Sequence, residues 1–183
     1  MHYSKKIVFV FKNVHLIFSN ITVCNIKKKG LDDMDNLHEA REKQNIAYFS
    51  MEVGLRSDIA TYAGGLGGLA GDAIRSAADL NIPFVAVTLV SNKGYFRQTL
   101  DPAGNQTEHK DEWNPAHFMT LCKEEVKVKI KDRDVKLRAW IYTYKSHIGG
   151  CVPIIFLDTN VEGNELEDRK ITDFLYGGDQ RYR

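Results

Sequence analysis

The period of apolar residues changes several times along this chain, and each change predicts an element. After Asn45, Ile46-Ala47-Tyr48-Phe49-Ser50-Met51 is a short, nearly continuous apolar run of the kind found in buried parallel strands. A loop to Ala63 leads into the cluster Gly64-Gly65-Leu66-Gly67-Gly68. Leu69, Ala70, Ala73, Ile74, Ala77, Ala78 and Leu80 then fall on one side at helical spacing, with Asp72, Arg75, Ser76 and Asp79 on the other. A helix is therefore predicted from Leu69, and Asn81 and Pro83 stop it. Phe84 to Val90 reads as a second buried strand, so residues 46–90 form a strand, glycine loop, helix and strand. That order predicts a parallel crossover, right-handed by the general rule.

Ser91 to Thr120 shows no periodicity and is expected to be a long ordered loop, since Tyr95, Phe96, Trp113 and Phe118 are too many rings for a linker. Val126, Val128 and Ile130 alternate with lysines, and Val135, Leu137, Ala139 and Ile141 repeat the alternation after Asp132-Arg133-Asp134. This predicts an antiparallel hairpin with one wet face. Pro153 to Leu157 is a further buried strand, ending at Asp158.

The first 33 residues follow a different pattern. Ile7–Phe11 and Val14–Phe18 are apolar, but Lys12, Asn13 and His15 interrupt them, so no run approaches the ~20 residues of a membrane helix. The same interruptions, and the lack of a convincing cleavage site, make a poor secretory signal. Composition shifts at Gly30-Leu31-Asp32-Asp33-Met34, so residues 1–33 are expected to be an extension ahead of a start at Met34, and 34–183 one partial domain.

With 183 residues, 43% hydrophobic and 27% charged, the chain can bury a core and is not disordered, collagen-like or a disulfide scaffold. Cys24, Cys122 and Cys151 are far apart and make no Cys-x-x-Cys pair, which argues for reduced, buried thiols and against a zinc site. Six of the 25 basic residues lie in the first 30, leaving 19 against 24 acids in the remainder. A mildly acidic body offers no nucleic-acid footprint.

One motif carries chemistry. Glycines feeding a helix leave backbone N–H groups unhindered at the positive end of the helix dipole, which suits a phosphate or another anion. The same glycines could instead permit a tight turn and close packing of the helix. A nucleoside-triphosphate loop would end in Gly-Lys-Ser/Thr, whereas Leu69 follows Gly68. Gly65, Gly67 and Ala70 fit a dinucleotide fingerprint nominally, but Met51 lies far from Gly64, and Ser91-Asn92-Lys93 replaces the acid expected after the second strand.

Five segments taken in order are more specific. Tyr48-Phe49-Ser50-Met51-Glu52-Val53-Gly54-Leu55, Tyr62 to Asp72, Ser76-Ala77-Ala78-Asp79-Leu80, Lys93-Gly94-Tyr95-Phe96-Arg97-Gln98 and Leu175-Tyr176-Gly177-Gly178-Asp179 closely resemble the start of the α-glucan (glycogen, maltodextrin, starch) phosphorylases, in their short bacterial and archaeal branch. The resemblance runs from about Ile46 to Arg183. It implies an α/β fold: an incomplete N-terminal Rossmann-like domain of a two-domain (GT-B type) glycosyltransferase, with an antiparallel β-hairpin inserted. It also implies phosphorolysis of terminal α-1,4 bonds to glucose 1-phosphate, with pyridoxal phosphate contributing its phosphate group as a proton relay. By similarity, Gly64, Gly65, Leu66 and Gly67 would turn main-chain N–H groups toward substrate phosphate and sugar. Gly65 would also be the backbone contact to a cofactor or substrate phosphate, and Glu52 would stand in the polar wall of a glucose pocket.

Two departures limit the transfer. Ala63 and Gly68 stand where vertebrate and plant members carry Asn and Arg, so no side-chain contact is carried over from there. Phosphorylases are several times longer, and their cofactor lysine, the basic residues gripping its phosphate and the second domain fall outside this chain. No catalytic residue is therefore expected within it, and the chain is expected to be inert without the remainder. The partners implied are an α-glucan, inorganic phosphate and the rest of the enzyme, in a cytoplasmic protein that forms a homo-oligomer at full length, with neither nucleic acid nor membrane. Two other readings stand beside this one. A nucleotide-sugar-dependent glycogen or starch synthase would carry Lys-x-Gly-Gly-Leu, but Thr61-Tyr62-Ala63 supplies no lysine; the other is a non-catalytic binding fragment.

For Glu52 the bland alternative is a capping carboxylate after a strand. Lys93, Tyr95 and Arg97 could line a glucan cleft or lie on the surface with snorkelling stems. His109 and His117 have no partner at metal spacing. Trp113 and Trp140 could stack on sugar, although Trp140 sits in an alternating strand and reads more simply as sheet surface or core.

Overall fold

The computed structural model describes residues 46–109 and 113–176. The extension 1–33, the start at Met34 and the end of the Leu175–Asp179 motif lie outside the described residues. Strands β1 (Ile46–Phe49) and β2 (Phe84–Leu89) flank helix α1 (Gly65–Asp79). Then come β3 (Arg97–Leu100), β4 (Gln106–His109), β5 (Thr120–Ile130), β6 (Arg133–Lys145), β7 (Cys151–Asp158) and the short helix α2 (Leu166–Arg169).

Five strands make one mixed sheet in the order β1-β2-β7-β6-β5. β1, β2 and β7 are parallel, with Ile46 opposite Phe84 and Ala86 opposite Ile154. The β5–β6 hairpin, inserted in sequence between β2 and β7, extends this sheet antiparallel to β7. In β7 successive residues serve opposite faces: Val152, Ile154 and Phe156 join α1's Ala70, Ile74, Ala77 and Ala78, while Ile155 and Leu157 join Val126, Val128, Val135 and Leu137. Burial on both faces explains why β2 and β7 read as continuous apolar runs.

β1 lies at the edge of the sheet with Ile46 and Ala47 exposed and Tyr48 and Phe49 half-buried, not as a buried strand, and three further element expectations shift. α1 begins at Gly65, four residues before Leu69, and its buried face is Gly67, Ala70, Gly71, Ile74, Ala77 and Ala78. Leu69 and Leu80 are therefore exposed, at 64% and 66%. Second, the loop 91–120 contains an exposed two-stranded sheet, β3–β4, and a 3-10 turn at Pro115–His117. Third, the hairpin turn is Lys131-Asp132, with φ of 47° and 65°. Positive φ at both central residues is what a two-residue turn needs to match strand twist. Cys122 and Cys151 are free thiols but half-buried, not buried as expected.

Candidate functional site

The segment between β1 and α1 does not wander. Val53 N–H donates to Thr61 O at 3.0 Å, and Thr61 Oγ1 donates back to Val53 O at 2.8 Å, so residues 53–61 close on themselves. That closure returns Ala63 to the side of Glu52. The Glu52 carboxylate is 2% exposed, and its Oε2 accepts from the N–H of Ala63 at 3.0 Å and of Gly64 at 3.2 Å. Placing a carboxylate on the first free amides satisfies donors that have no partner within the helix and complements the dipole.

The helix locks onto the same loop. Gly54 N–H donates to Gly67 O at 2.8 Å, and Arg75 Nη2 donates to Leu55 O at 2.9 Å and Gly54 O at 3.3 Å, while Nη1 meets Asp72 at 3.0 Å. Two glycines make the approach possible. A Cβ on Gly67 would collide with Tyr62 Cβ, and one on Gly71 with the carbonyl of Gly54. Gly64, Gly65 and Gly68 face open space, with nothing within 4 Å of an added Cβ.

The cluster thus divides its labour. Gly67 and Gly71 serve close packing, whereas Gly64, Gly65 and Gly68 leave the helix end uncovered. The four positions singled out in the sequence are not equivalent either: Gly64 N–H is held by Glu52, and Gly67 N–H donates to Gly64 O at 3.1 Å. The N–H groups of Gly65 and Leu66 have no partner among the described residues, and both residues are exposed. Two adjacent donors without a partner among the described residues at a positive helix end are groups of the kind that hydrogen-bond anions. Glu52 is brought beside this turn, on its inner side.

The other candidates are placed elsewhere. Lys93 Nζ is paired with Asp173 at 2.6 Å and lies over Phe174. Tyr95 packs tilted against Phe96 and edge-on to Tyr176, and Arg97 is exposed in β3. His109 Nε2 shares a hydrogen with Thr99 Oγ1 at 2.8 Å, His117 packs edge-on against Phe118, and no cluster of metal-ligating side chains occurs among the described residues. Trp113 Nε1 donates to Ser91 O at 2.9 Å. Trp140 Nε1 donates to Asp158 Oδ2 at 3.1 Å.

Asp158 is the residue that pattern-reading missed. At the carboxyl end of β7 and fully buried, it accepts from Arg138 Nε at 2.9 Å and from Trp140 on Oδ2. Its Oδ1 accepts from Asn160 N–H at 2.8 Å, Asn92 Nδ2 at 3.3 Å and Thr172 Oγ1 at 3.3 Å. Burial alone would raise its pKa, but the Asn160 amide, the Trp140 indole and the Arg138 guanidinium together hold it below the ordinary carboxylate value. In sequence it looks like any acid that ends a strand, because these partners lie up to 66 residues away.

No helix among the described residues is long and apolar enough to cross a membrane. No protein-family profile matches the chain. Among curated proteins it is 41% identical over 145 residues to a glycogen phosphorylase of Mycobacterium tuberculosis, covering 75% of this chain and 16% of that protein. It is 38% identical over 144 residues to the maltodextrin phosphorylase of Thermococcus litoralis, covering 75% and 17%. To the glycogen phosphorylase of Aquifex aeolicus it is 33% identical over 155 residues, covering 80% and 21%. The chain thus spans 16–21% of the length of these relatives. Over the stretch it shares with them, this chain belongs to the glycogen and maltodextrin phosphorylase family.

Proposed function

We propose that this chain supplies the phosphate-facing turn of an α-1,4-glucan phosphorylase, a glycosyltransferase that releases glucose 1-phosphate from glycogen or maltodextrin. The mixed sheet with its β1-α1-β2 crossover serves as the first Rossmann-like domain of a two-domain, GT-B type enzyme. One observation carries the reading: the amides of Gly65 and Leu66 are unspent and exposed, with open space beside Gly64 and Gly65. Phosphorolysis crowds phosphate oxygens against a developing cationic sugar, and fixed N–H dipoles stabilise that charge without reorganising. The two amides donate to a phosphate oxygen, and the helix end adds roughly half an elementary positive charge.

Glu52 sets this geometry by holding Ala63 and Gly64, which fixes the turn and turns the next two amides outward. Its second oxygen, Oε1, accepts no hydrogen bond among the described residues, which supports reading it as an acceptor for a sugar hydroxyl. The turn also fits the phosphate of pyridoxal phosphate, because an oxyanion needs only the two donors and the space in front of them; when bound, that group supplies an acid–base phosphate. Its lysine and the second domain lie outside this chain, so catalysis requires the remainder of a cytoplasmic, homo-oligomeric enzyme.

The test is a titration of the isotopically labelled chain with inorganic phosphate and with glucose 1-phosphate, followed by backbone amide NMR. Saturable shifts centred on Gly65 and Leu66, together with no release of glucose 1-phosphate from maltoheptaose and phosphate by the chain alone, are expected. Unmoved Gly65 and Leu66 signals, or turnover by the isolated chain, would contradict the proposal.

A further inference from the structure

A second cleft, independent of the glycine turn, opens just past the carboxyl ends of the neighbouring parallel strands β2 and β7. Its volume is about 380 Å³, and none of the residues of the Gly64–Gly68 turn line it. Crevices outside the carboxyl ends of parallel strands are where open α/β sheets bind ligands. Asn92 follows β2, Asn160 follows β7, and Trp113, Arg169 and Lys170 complete the wall.

The charges in this wall do not cancel. Asp173 neutralises Lys93 at 2.6 Å. Arg169 donates through Nε and Nη2 to the neutral Oδ1 of Asn160, at 2.9 and 2.7 Å, and forms no ion pair among the described residues. Lys170 has no side-chain partner among the described residues. Of the surrounding acids, Asp158 pairs with Arg138 and Asp168 with Arg133. Two uncompensated cations in a mildly acidic body mark a site for an anion.

The polar groups are also held in place. Asp158 fixes Asn92 through its Nδ2 and the Asn160 backbone through its N–H. Asn92 Oδ1 is left as an acceptor and Asn160 Nδ2 as a donor, with no partner among the described residues. Trp113 is pinned by its bond to Ser91, offering a fixed aromatic surface, and Leu166 adds an apolar edge. An aromatic wall, a matched donor and acceptor, and two cations correspond to a ring bearing hydroxyls and a phosphate. The volume lies near the lower end of the ~300–1,000 Å³ range of small-molecule sites, which favours one ring over a chain of several.

We infer that this cleft binds a sugar monophosphate, with Arg169 and Lys170 on the phosphate and Asn92, Asn160 and Trp113 on the ring. The experiment uses the labelled full chain, observing the Trp113 indole and the Asn92 and Asn160 side-chain amides during titration with glucose 1-phosphate, inorganic phosphate or maltoheptaose. Saturable shifts with glucose 1-phosphate are expected to persist in a Gly65→Pro variant, to weaken at least tenfold in Lys170→Gln, whose side chain is exposed, and to be much smaller with maltoheptaose. Three results would overturn the inference: cleft signals that stay still, equal affinity for inorganic phosphate alone, or unchanged affinity in Lys170→Gln. Loss of the cleft response in Gly65→Pro would show instead that the glycine turn is the site being read.

Discussion

Gly67 and Gly68 are neighbours in one helix with the same intrinsic cost, yet alanine at the two positions is expected to act with opposite sign. At Gly68 an added methyl meets nothing within 4 Å, so only the helix preference remains, and Gly68→Ala gains roughly 0.5–1 kcal/mol. At Gly67 the same methyl collides with Tyr62 Cβ and comes within 3.0 Å of Glu52 Oε2. Tyr62 Cβ cannot rotate away, and moving Glu52 disturbs its bonds to Ala63 and Gly64. Overpacking of ~1–3 kcal/mol plus ~1 kcal/mol of weakened hydrogen bonding outweighs the helix gain, for a net loss of about 2 kcal/mol. At roughly 2–4 °C per kcal/mol for a chain of this size, the two midpoints separate by about 6–12 °C. Thermal and urea unfolding followed by far-UV circular dichroism measures this. A Gly67→Ala chain as stable as Gly68→Ala would refute the assignment of Gly67 to close packing and of Gly68 to open space.

Other residues give further checks. Arg75→Ala removes the two hydrogen bonds that tie residues 54–55 to α1 and one to Asp72 within the helix, and because the guanidinium is partly exposed a loss of about 1–2 kcal/mol is expected by urea unfolding, with β7 amide protection unchanged. Asp158 has a depressed folded-state pKa, so its contribution is present above the unfolded value near ~3.9 and is lost as pH falls through the folded value. Asp158→Asn should cost about 3 kcal/mol at neutral pH, since it strands Arg138, and should flatten the fall in stability below about pH 4; an unchanged acid limb would count against the buried hub.

Residues buried on both faces or on one clean face were legible from the chain alone. β2, β7 and the β5–β6 hairpin announce themselves because Val85 to Thr88, Val152 to Leu157 and the Val126/Val128 alternation are set by burial, a local signal. The start of α1 was not legible, because glycine's poor helix propensity reads as loop. The contacts that overrule it, Glu52 to Ala63 and Gly54 to Gly67, are tertiary. The β3–β4 hairpin was missed because Arg97–Leu100 and Gln106–His109 are exposed throughout and carry no alternation. Leu69 and Leu80 share the apolar side of the pattern yet are exposed, because the buried face is centred on Gly67 and Gly71, whose lack of a side chain brings that face inward. The glycine motif located the site, but only the hydrogen bonds separate the spent amides of Gly64 and Gly67 from the unspent ones of Gly65 and Leu66.

Those two amides are the centre of the account, and Gly65→Pro tests them most directly. Gly65 is the first helical residue and Gly64 before it is extended, with φ −161° and ψ −157°, so proline is well tolerated there and deletes one outward donor. With the melting temperature retained, phosphate affinity measured by calorimetry is expected to fall about tenfold or more, the equivalent of one charge-assisted hydrogen bond of ~1.5–3 kcal/mol. A folded Gly65→Pro chain that binds phosphate as tightly as the original would contradict it.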